Sequence, residues 1–410
     1  MQRRETRKIF ERPSQAVILA GGRGTRLGPH TETRPKPMIE IHGKPFLEYL
    51  IEMLRSQGFE RVLLLLGYLP EVVQNHFGDG SKWGVKIEYS VTAVEDDTGR
   101  RVRLAAPRID QCFLLMYCDN YWPMQIDKMW ERFVHSKAPA MITVYSNKDG
   151  YTKNSIQVDD EGYVTIYDKS CTSPNLQGVE ISYAIMEKSV LDLLPQENVL
   201  FESTVYPRLA ESRRLLAYVT DHRYYSIGSL RRLPLTEAFL ARQPSVILDR
   251  DGVLNKKAPK AQYVRLWREF EWLHGAKEAL RLFTEAGYRV IIVSNQAGVA
   301  RGEMTEMQLL EIHERMKQET AGAGGRIDAV YYCPHDWNGG CECRKPKPGM
   351  LFQAQHDYNL DLSRTLFIGD DERDAQAADA AGCPSTLLAD GRTLLDVART
   401  VVNPVTRASS

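Results

Sequence analysis

Two carboxylates two residues apart close the apolar run in Val246-Ile-Leu-Asp-Arg-Asp-Gly-Val-Leu254. At the end of a strand such a pair suits phosphoryl transfer. One carboxylate can attack phosphorus; the other can protonate the leaving oxygen and later activate water. An EF-hand also begins Asp-x-Asp-Gly, but Val253 and Lys260 stand where its fifth and twelfth ligand positions would fall. Three further segments carry matching chemistry. Val290-Ile-Ile-Val-Ser294 ends in a hydroxyl able to bond a phosphate, Arg344, Lys345 and Lys347 supply cations, and Thr365-Leu-Phe-Ile-Gly-Asp-Asp371 ends in acids able to hold Mg²⁺. Beside them Cys333, His335, Cys341 and Cys343 crowd into eleven residues. Three thiolates and one imidazole make a closed tetrahedral Zn²⁺ set, so the expected ion is structural, folding a loop that leads straight into Arg344-Lys345. Far upstream, Leu19-Ala-Gly-Gly-Arg-Gly-Thr-Arg-Leu27 follows a short apolar run and precedes Arg34-Pro-Lys-Pro-Met38. Gly21, Gly22 and Gly24 let backbone N–H groups approach phosphate oxygens, and Arg23, Arg26 and Lys36 add positive charge. The spacing is neither that of a P-loop nor Gly-x-Gly-x-x-Gly.

The elements that must position these groups alternate between strand and helix, which predicts parallel sheets covered by helices. In the first half strands are expected at Ala16–Ala20, Arg61–Gly67, Phe113–Cys118, Met141–Ser146 and Ile181–Met186, with a helix at Phe46–Gln57. A second start follows the break at Arg242-Gln243-Pro244. Its strands are expected at Val246–Leu248, Tyr288–Val293, Ala329–Tyr332 and Thr365–Ile368, its helices at Gly275–Ala286, Thr305–Ala321 and Arg373–Ala381. Domains are therefore placed at 13–241 and 245–402, with polar, poorly ordered tails over 1–12 and 403–410. The 410 residues suit two domains. Lys+Arg and Asp+Glu both number 53, which argues against a basic nucleic-acid binder. The apolar runs fall far short of the roughly 20 residues of a membrane span, and no secretory signal is seen at the start. Seven Cys, three of them in the metal set, fit a reducing cytoplasm rather than a disulfide scaffold. Oligomeric state is not legible.

Residues 15–240 resemble the sugar-phosphate nucleotidyltransferases: Gly-Gly-x-Gly-Thr-Arg-Leu stands at 21–27 and Pro-Lys-Pro at 35–37. The resemblance implies a Rossmann-like, glycosyltransferase-A-like mixed sheet. It implies in-line attack of a sugar 1-phosphate on the α-phosphorus of an NTP, with Gly21, Gly22, Gly24 and Thr25 cradling the nucleotide. Arg26 would stabilise the triphosphate, Lys36 the charge developing at phosphorus, and Asp119 would hold Mg²⁺. Glu202 matches an acid contacting the sugar, and Lys153 and Asn154 are further candidates to reach it. Gly67-Tyr-Leu-Pro, Phe77-Gly-Asp-Gly80 and Trp83–Tyr89 are nearest the heptose and mannose 1-phosphate guanylyltransferase branch, which implies GTP. The chain departs from the family pattern at Cys118, usually Gly; at Ser226, where a second metal aspartate is usual; at Ser182, usually Gly; and at Asp96–Arg100, in place of the usual base-holding loop. Losing one carboxylate weakens a divalent site, and Asp221 or Glu202 are the candidates to compensate.

Residues 245–400 resemble the haloacid dehalogenase-like phosphatases, implying a Rossmannoid sheet. By that resemblance Asp249 is the nucleophile and Asp251 the general acid/base. Ser294 and Lys345 stabilise the phosphoryl group, with Lys345 preferred to Lys347. Mg²⁺ is held by Asp249, Asp370 and the Asp251 backbone carbonyl, and Asn295 and Arg344 contact substrate. Asp371 and Asp374 are read as supporting or helix-start charges. Asn295–Gly302 and Cys343–Met350 look like the heptose bisphosphate phosphatases. The five residues between His335 and Cys341 are nearer the histidinol-phosphate phosphatases. Together the halves imply an α/β enzyme of nucleotide-activated heptose synthesis. It would remove the 7-phosphate of a heptose 1,7-bisphosphate and couple the 1-phosphate to GTP, giving GDP-heptose and pyrophosphate. Three alternatives stay open: another NTP or sugar 1-phosphate, a first half that only binds nucleotide or sugar, and a scaffold for partner enzymes.

Overall fold

Apolar runs without polar alternation form strands buried on both faces, as sheets covered by helices require. The computed structural model describes residues 11–259, 262–389 and 391–403. They form two compact units that part in sequence between Leu240 and Ala241.

The first unit is built on seven strands: β1 (Gln15–Leu19), β2 (Arg61–Leu66), β3 (Lys86–Val91), β4 (Cys112–Tyr117), β5 (Ala140–Tyr145), β6 (Val179–Glu187) and β7 (Leu215–Thr220). Their order across the sheet is β7-β5-β6-β4-β1-β2-β3. All neighbours run parallel except β6, which is antiparallel to both β4 and β5. The sheet is thus mixed, as the family resemblance implies, whereas strand–helix alternation alone points to a parallel one. A strand buried on both faces looks the same in sequence whichever way it runs. Leu19 pairs in register with Leu65 and Tyr117, so the Gly-rich loop after β1 and Asp119 after β4 leave the sheet at one edge. The helix Phe46–Ser56 buries Phe46, Leu47, Leu50, Ile51 and Leu54 against the sheet, as its spacing predicts.

The second unit has five parallel strands: β8 (Ser245–Leu248), β9 (Arg289–Asn295), β10 (Ala329–Cys333), β11 (Leu366–Gly369) and β12 (Ser385–Leu387), ordered β10-β9-β8-β11-β12. Leu248 lies opposite both Ile292 and Ile368, so Asp249, Ser294 and Asp370 emerge together at the carboxyl ends of adjacent strands. Open α/β sheets bind ligands at that edge. Three capping boxes fix helix starts: Thr305 with Gln308 for Glu306–Gly322, Asp371 with Asp374 for Glu372–Ala381, and Thr393 with Asp396 for Leu394–Val402. Expected element ends differ from those observed by one or two residues, as fraying ends do. The tails expected at 1–12 and 403–410 lie outside the described residues except for Glu11, Arg12 and Asn403. Arg12 is anchored, donating to Asp127 (2.7 Å) and the Gln57 carbonyl (2.9 Å). No helix among the described residues is long and apolar enough to cross a membrane.

Candidate active sites

In the second unit the turn Asp249-Arg-Asp-Gly252 sits where the central strand ends. Gly252 has φ +94°, and a Cβ there would lie 2.2 Å from Asp370 Oδ2, so only glycine admits the Asp370 carboxylate. Lys345 is buried, its Nζ 2.9 Å from Asp249 Oδ1 and 2.7 Å from Asp374 Oδ1, and it donates to the Val293 carbonyl at 3.2 Å. Burial disfavours its charge, but the two carboxylates outweigh burial and keep it ammonium. Asp249 is pushed up to about 7, chiefly by burial, against the opposing pull of Lys345. Lys347 is instead exposed and paired with Glu342 at 2.9 Å.

Asp251 accepts only. Arg250 Nε and Nη2 reach it at 3.1 Å each, Asn255 Nδ2 at 2.9 Å, Gln296 Nε2 at 2.8 Å, and Ser294 Oγ approaches at 3.5 Å. Burial alone would raise its pKa; Arg250 and these donors bring it below the ordinary value. Arg250 is itself buried, with Nη1 3.3 Å from His313 Nε2. Burial, then the charge of Arg250, pushes His313 down to about 3, so the imidazole is neutral and accepts from Arg250.

Asp249, Asp370 and Asp374 bring carboxylate oxygens within 4.8 Å of one another. Asp370 Oδ1 is buried without a hydrogen-bond partner, while Oδ2 accepts from Lys257 at 2.7 Å. An orphaned carboxylate oxygen among three acids fits a hard divalent cation such as Mg²⁺. Asp374 thus joins the metal-capable set besides starting its helix, whereas the Asp251 carboxylate faces Arg250, Asn255 and Gln296. Asn295, expected to contact substrate, lines the cavity and also has a second use. Its Oδ1 accepts the Lys345 N–H and its Nδ2 donates to the Lys345 carbonyl, both at 3.0 Å, so it braces the main chain of Lys345. Arg344 lines the cavity, and its Nη1 is buried without a partner.

The cavity measures about 920 Å³ and is walled by Asp249, Asp251, Ser294, Lys345, Arg344 and the loop holding Trp337. Cys333, His335, Cys341 and Cys343 converge as the spacing required, with ligand atoms within 4.8 Å. Cys333 Sγ is 3.6 Å from both Cys341 Sγ and His335 Nδ1, and His335 Nδ1 is 3.2 Å from Cys343 Sγ. These are edge lengths of a tetrahedron around an ion with bonds of about 2.0–2.3 Å.

In the first unit Lys36 Nζ meets Asp119 Oδ2 at 2.5 Å beneath the Gly-rich loop. Gly24 has φ +70° and leads into the short helix Thr25–Thr31, on which Thr25 and Arg26 stand exposed. A Cβ on Gly21 would lie 2.5 Å from the guanidinium of Arg101; a Cβ on Gly22 meets open space. Arg101 is buried and donates to the carbonyls of Leu66 (2.8 Å), Ala93 (2.9 Å) and Val94 (3.1 Å) and to Thr92 Oγ1 (2.6 Å), with the Gly21 carbonyl at 3.4 Å. It ties the loop at 92–94 to the first glycine, a role the sequence reading missed because its partners are main-chain atoms.

Ser226 bonds the Asp119 carbonyl (3.1 Å) and accepts the Gly228 N–H (3.0 Å), so the residue replacing a second aspartate organises main chain around Asp119. Neither candidate substitute carboxylate joins Asp119 in a metal-capable group of three: among the described residues no such group forms there. Asp221 pairs with Lys148 at 2.9 Å, and Glu202 accepts from Tyr117 and from Thr98 (3.2 Å). One carboxylate with nucleotide phosphates is still a workable Mg²⁺ set, since Mg²⁺ often binds through one or two carboxylates plus substrate phosphates. Asn154 donates to the Leu176 carbonyl (2.8 Å) and accepts from Asn147 (2.7 Å), which makes it a brace of its loop; Lys153 is exposed. Burial pushes the Cys118 thiol up to about 12. Ser182 adopts φ +76°, a left-handed conformation where glycine would be unstrained.

Comparison with known proteins matches both halves. Residues 15–165 match the Nucleotidyl transferase family and residues 342–407 the HAD-hydrolase-like family. A D-glycero-beta-D-manno-heptose-1,7-bisphosphate 7-phosphatase of Yersinia pestis is 40% identical over 152 residues, 35% of this chain and 79% of that protein. The crystal structure of D,D-heptose 1.7-bisphosphate phosphatase from B. bronchiseptica, complexed with magnesium and phosphate, is 35% identical. It covers 39% of this chain and 98% of that one, with a TM-score of 0.36. HddC from Yersinia pseudotuberculosis, complexed with GMP-PN, is 25% identical over 54% of this chain and 97% of that one, with a TM-score of 0.46.

Proposed function

By its second half the chain belongs to the heptose bisphosphate phosphatases of the HAD-like class, and on that premise we propose that its two units perform consecutive steps on one sugar. The phosphatase unit removes the 7-phosphate of D-glycero-D-manno-heptose 1,7-bisphosphate. The nucleotidyl transferase unit then couples the heptose 1-phosphate to GTP, giving GDP-heptose and pyrophosphate. The observation that carries the reading is that Asp249, Asp251, Ser294 and Asp370 come together where adjacent strands end, and that Lys345 meets Asp249 at 2.9 Å on the wall of the cavity there.

Asp249 attacks phosphorus and forms an aspartyl phosphate as the ester bond to the sugar oxygen breaks; Asp251 gives that oxygen its proton. Water, deprotonated by Asp251, then attacks phosphorus and releases inorganic phosphate with Asp249 restored. All neighbours of Asp251 donate to it, so the geometry described is the ionised form, the one that takes the proton from water. Lys345 and Ser294 hold the phosphoryl oxygens, with Asn295 fixing Lys345 from behind. Asp249, Asp370 and Asp374 would hold Mg²⁺, which would neutralise phosphoryl charge and lower the nucleophile's pKa. Zn²⁺ on Cys333, His335, Cys341 and Cys343 keeps the loop before Arg344-Lys345 folded. In the first unit Lys36 and Arg26 neutralise the triphosphate, Gly21, Gly22, Gly24 and Thr25 cradle it, and Asp119 holds its Mg²⁺. The cytoplasm supplies both substrates.

The test is purified chain with α- and β-heptose 1,7-bisphosphates and each NTP, following phosphate and pyrophosphate separately. Phosphate release that precedes GTP-dependent pyrophosphate release supports the reading. The lone carboxylate at Asp119, with Ser226 holding main chain, favours one second reading: a first unit that binds nucleotide or sugar without turnover. Nucleotide binding without pyrophosphate release would establish it.

A further inference from the structure

The phosphatase cavity has a wall that phosphoryl chemistry does not use. Trp337 lines it from the loop between His335 and Cys341, and 49% of this large apolar side chain is exposed. It is held in place: the Arg301 guanidinium lies 4.1 Å from its ring centroid, and Arg301 Nε is 3.6 Å from Asp336 next to it. Tyr263, from the segment after the catalytic turn, lines the same cavity, and its hydroxyl accepts from Arg301 at 3.5 Å. Its ring is seated on Gly298, where an added Cβ would come within 2.9 Å of Tyr263 Cγ. One arginine therefore braces two aromatic rings from segments far apart in sequence.

A half-exposed indole held fast on the wall of a ligand-sized cavity offers apolar surface that a ligand can cover. Ligand sites set a few polar groups for orientation against apolar and aromatic walls. A sugar ring supplies the complementary surface: its carbon–hydrogen face is apolar, and its hydroxyl edges stay hydrated. We propose that Trp337 and Tyr263 form the platform on which the ring of a phosphorylated sugar lies while its terminal phosphate reaches Asp249. The platform rests on the reading of the second unit as a sugar phosphatase, and it names the residues that select a ring-bearing substrate.

The full chain with Mg²⁺ is assayed on heptose 1,7-bisphosphate and on acetyl phosphate, which has no ring. Trp337→Ala is expected to lower the ratio of kcat/KM for the bisphosphate over acetyl phosphate at least tenfold, mostly through KM. Trp337→Phe is expected to restore most of it. In a separate readout, Asp249→Asn chain binds the bisphosphate without turnover and its tryptophan emission changes; adding Trp337→Phe abolishes that change. This second readout decides the matter if Trp337→Ala disturbs the metal loop, which zinc content reveals. A ratio within twofold of wild type in a metal-replete Trp337→Ala chain overturns the platform, as does an emission change that survives Trp337→Phe. A wild-type chain that cleaves acetyl phosphate but no sugar bisphosphate overturns the sugar phosphatase reading itself.

Discussion

Replacing Asn295 by alanine separates a bracing role from a substrate contact. The side chain makes two 3.0 Å hydrogen bonds, one to each side of the Lys345 peptide. At about 0.5–1.5 kcal/mol net for each bond, their loss is expected to cost about 1–3 kcal/mol. In a unit of this size that lowers its melting transition by about 2–4 °C per kcal/mol. The transition raised by Mg²⁺ and inorganic phosphate identifies the unit concerned, since ligands stabilise the state that binds them. Lys345 Nζ would lose its fixed distance to Asp249, and an error of about 1 Å in a catalytic group can cost about 10²-fold in rate. The expected result is a fall in kcat with KM within a factor of about two, the pattern of a group acting in the transition state. Asn295→Asp keeps the acceptor for the Lys345 N–H but loses the donor to its carbonyl, and should fall between wild type and alanine. A raised KM at unchanged kcat and unchanged melting temperature would refute the bracing role and restore a substrate contact.

In metal-free chain the raised pKa of Asp249, about 7, makes the folded unit bind a proton that the unfolded chain has released. Its contribution is therefore present below about pH 4 and lost as pH rises toward 7. Chelated wild type should lose stability over that window relative to Asp249→Asn, and Mg²⁺ should flatten the difference; denaturant unfolding at several pH values measures it. The wild-type chain is expected to carry zinc at about one per chain, and Cys341→Ser is expected to lose it. Metal analysis beside phosphatase kcat checks this, and full activity without the metal counts against a structural ion. At Ser182 alanine keeps the left-handed strain and loses the bond from Asn120 (3.1 Å), whereas glycine loses the bond but relieves the strain. The glycine variant should exceed the alanine variant by about 1–2 kcal/mol in unfolding free energy; equal values would rule out strain there.

Strand ends carrying Asp249, Ser294 and Asp370 were legible because an apolar run ending in a reactive side chain is a local pattern. The cluster of Cys333, His335, Cys341 and Cys343 was legible for the same reason: its members lie within one short loop. Arg250, Gln296, Arg101 and the bracing use of Asn295 were not, since each is defined by a partner on a remote segment or by a main-chain carbonyl that any residue could offer. The direction of β6 escaped the strand–helix pattern because burial on both faces erases the alternation that would mark it. Asp374 is both a supporting and a helix-start charge, as its position predicts, and the turn that caps the helix also brings it to Lys345 and the metal-capable acids.

The sulfur of Cys343 and the ammonium of Lys345 belong to residues only two apart in the chain. An oxidant or a thiophilic heavy metal that captures this thiolate need not enter the cavity to silence the phosphatase. Unravelling the ligand loop would pull the counter-charge away from the nucleophile. Poisoning would then be noncompetitive with substrate and reversible by thiol reductant plus fresh zinc, while the nucleotidyl transferase half carries on.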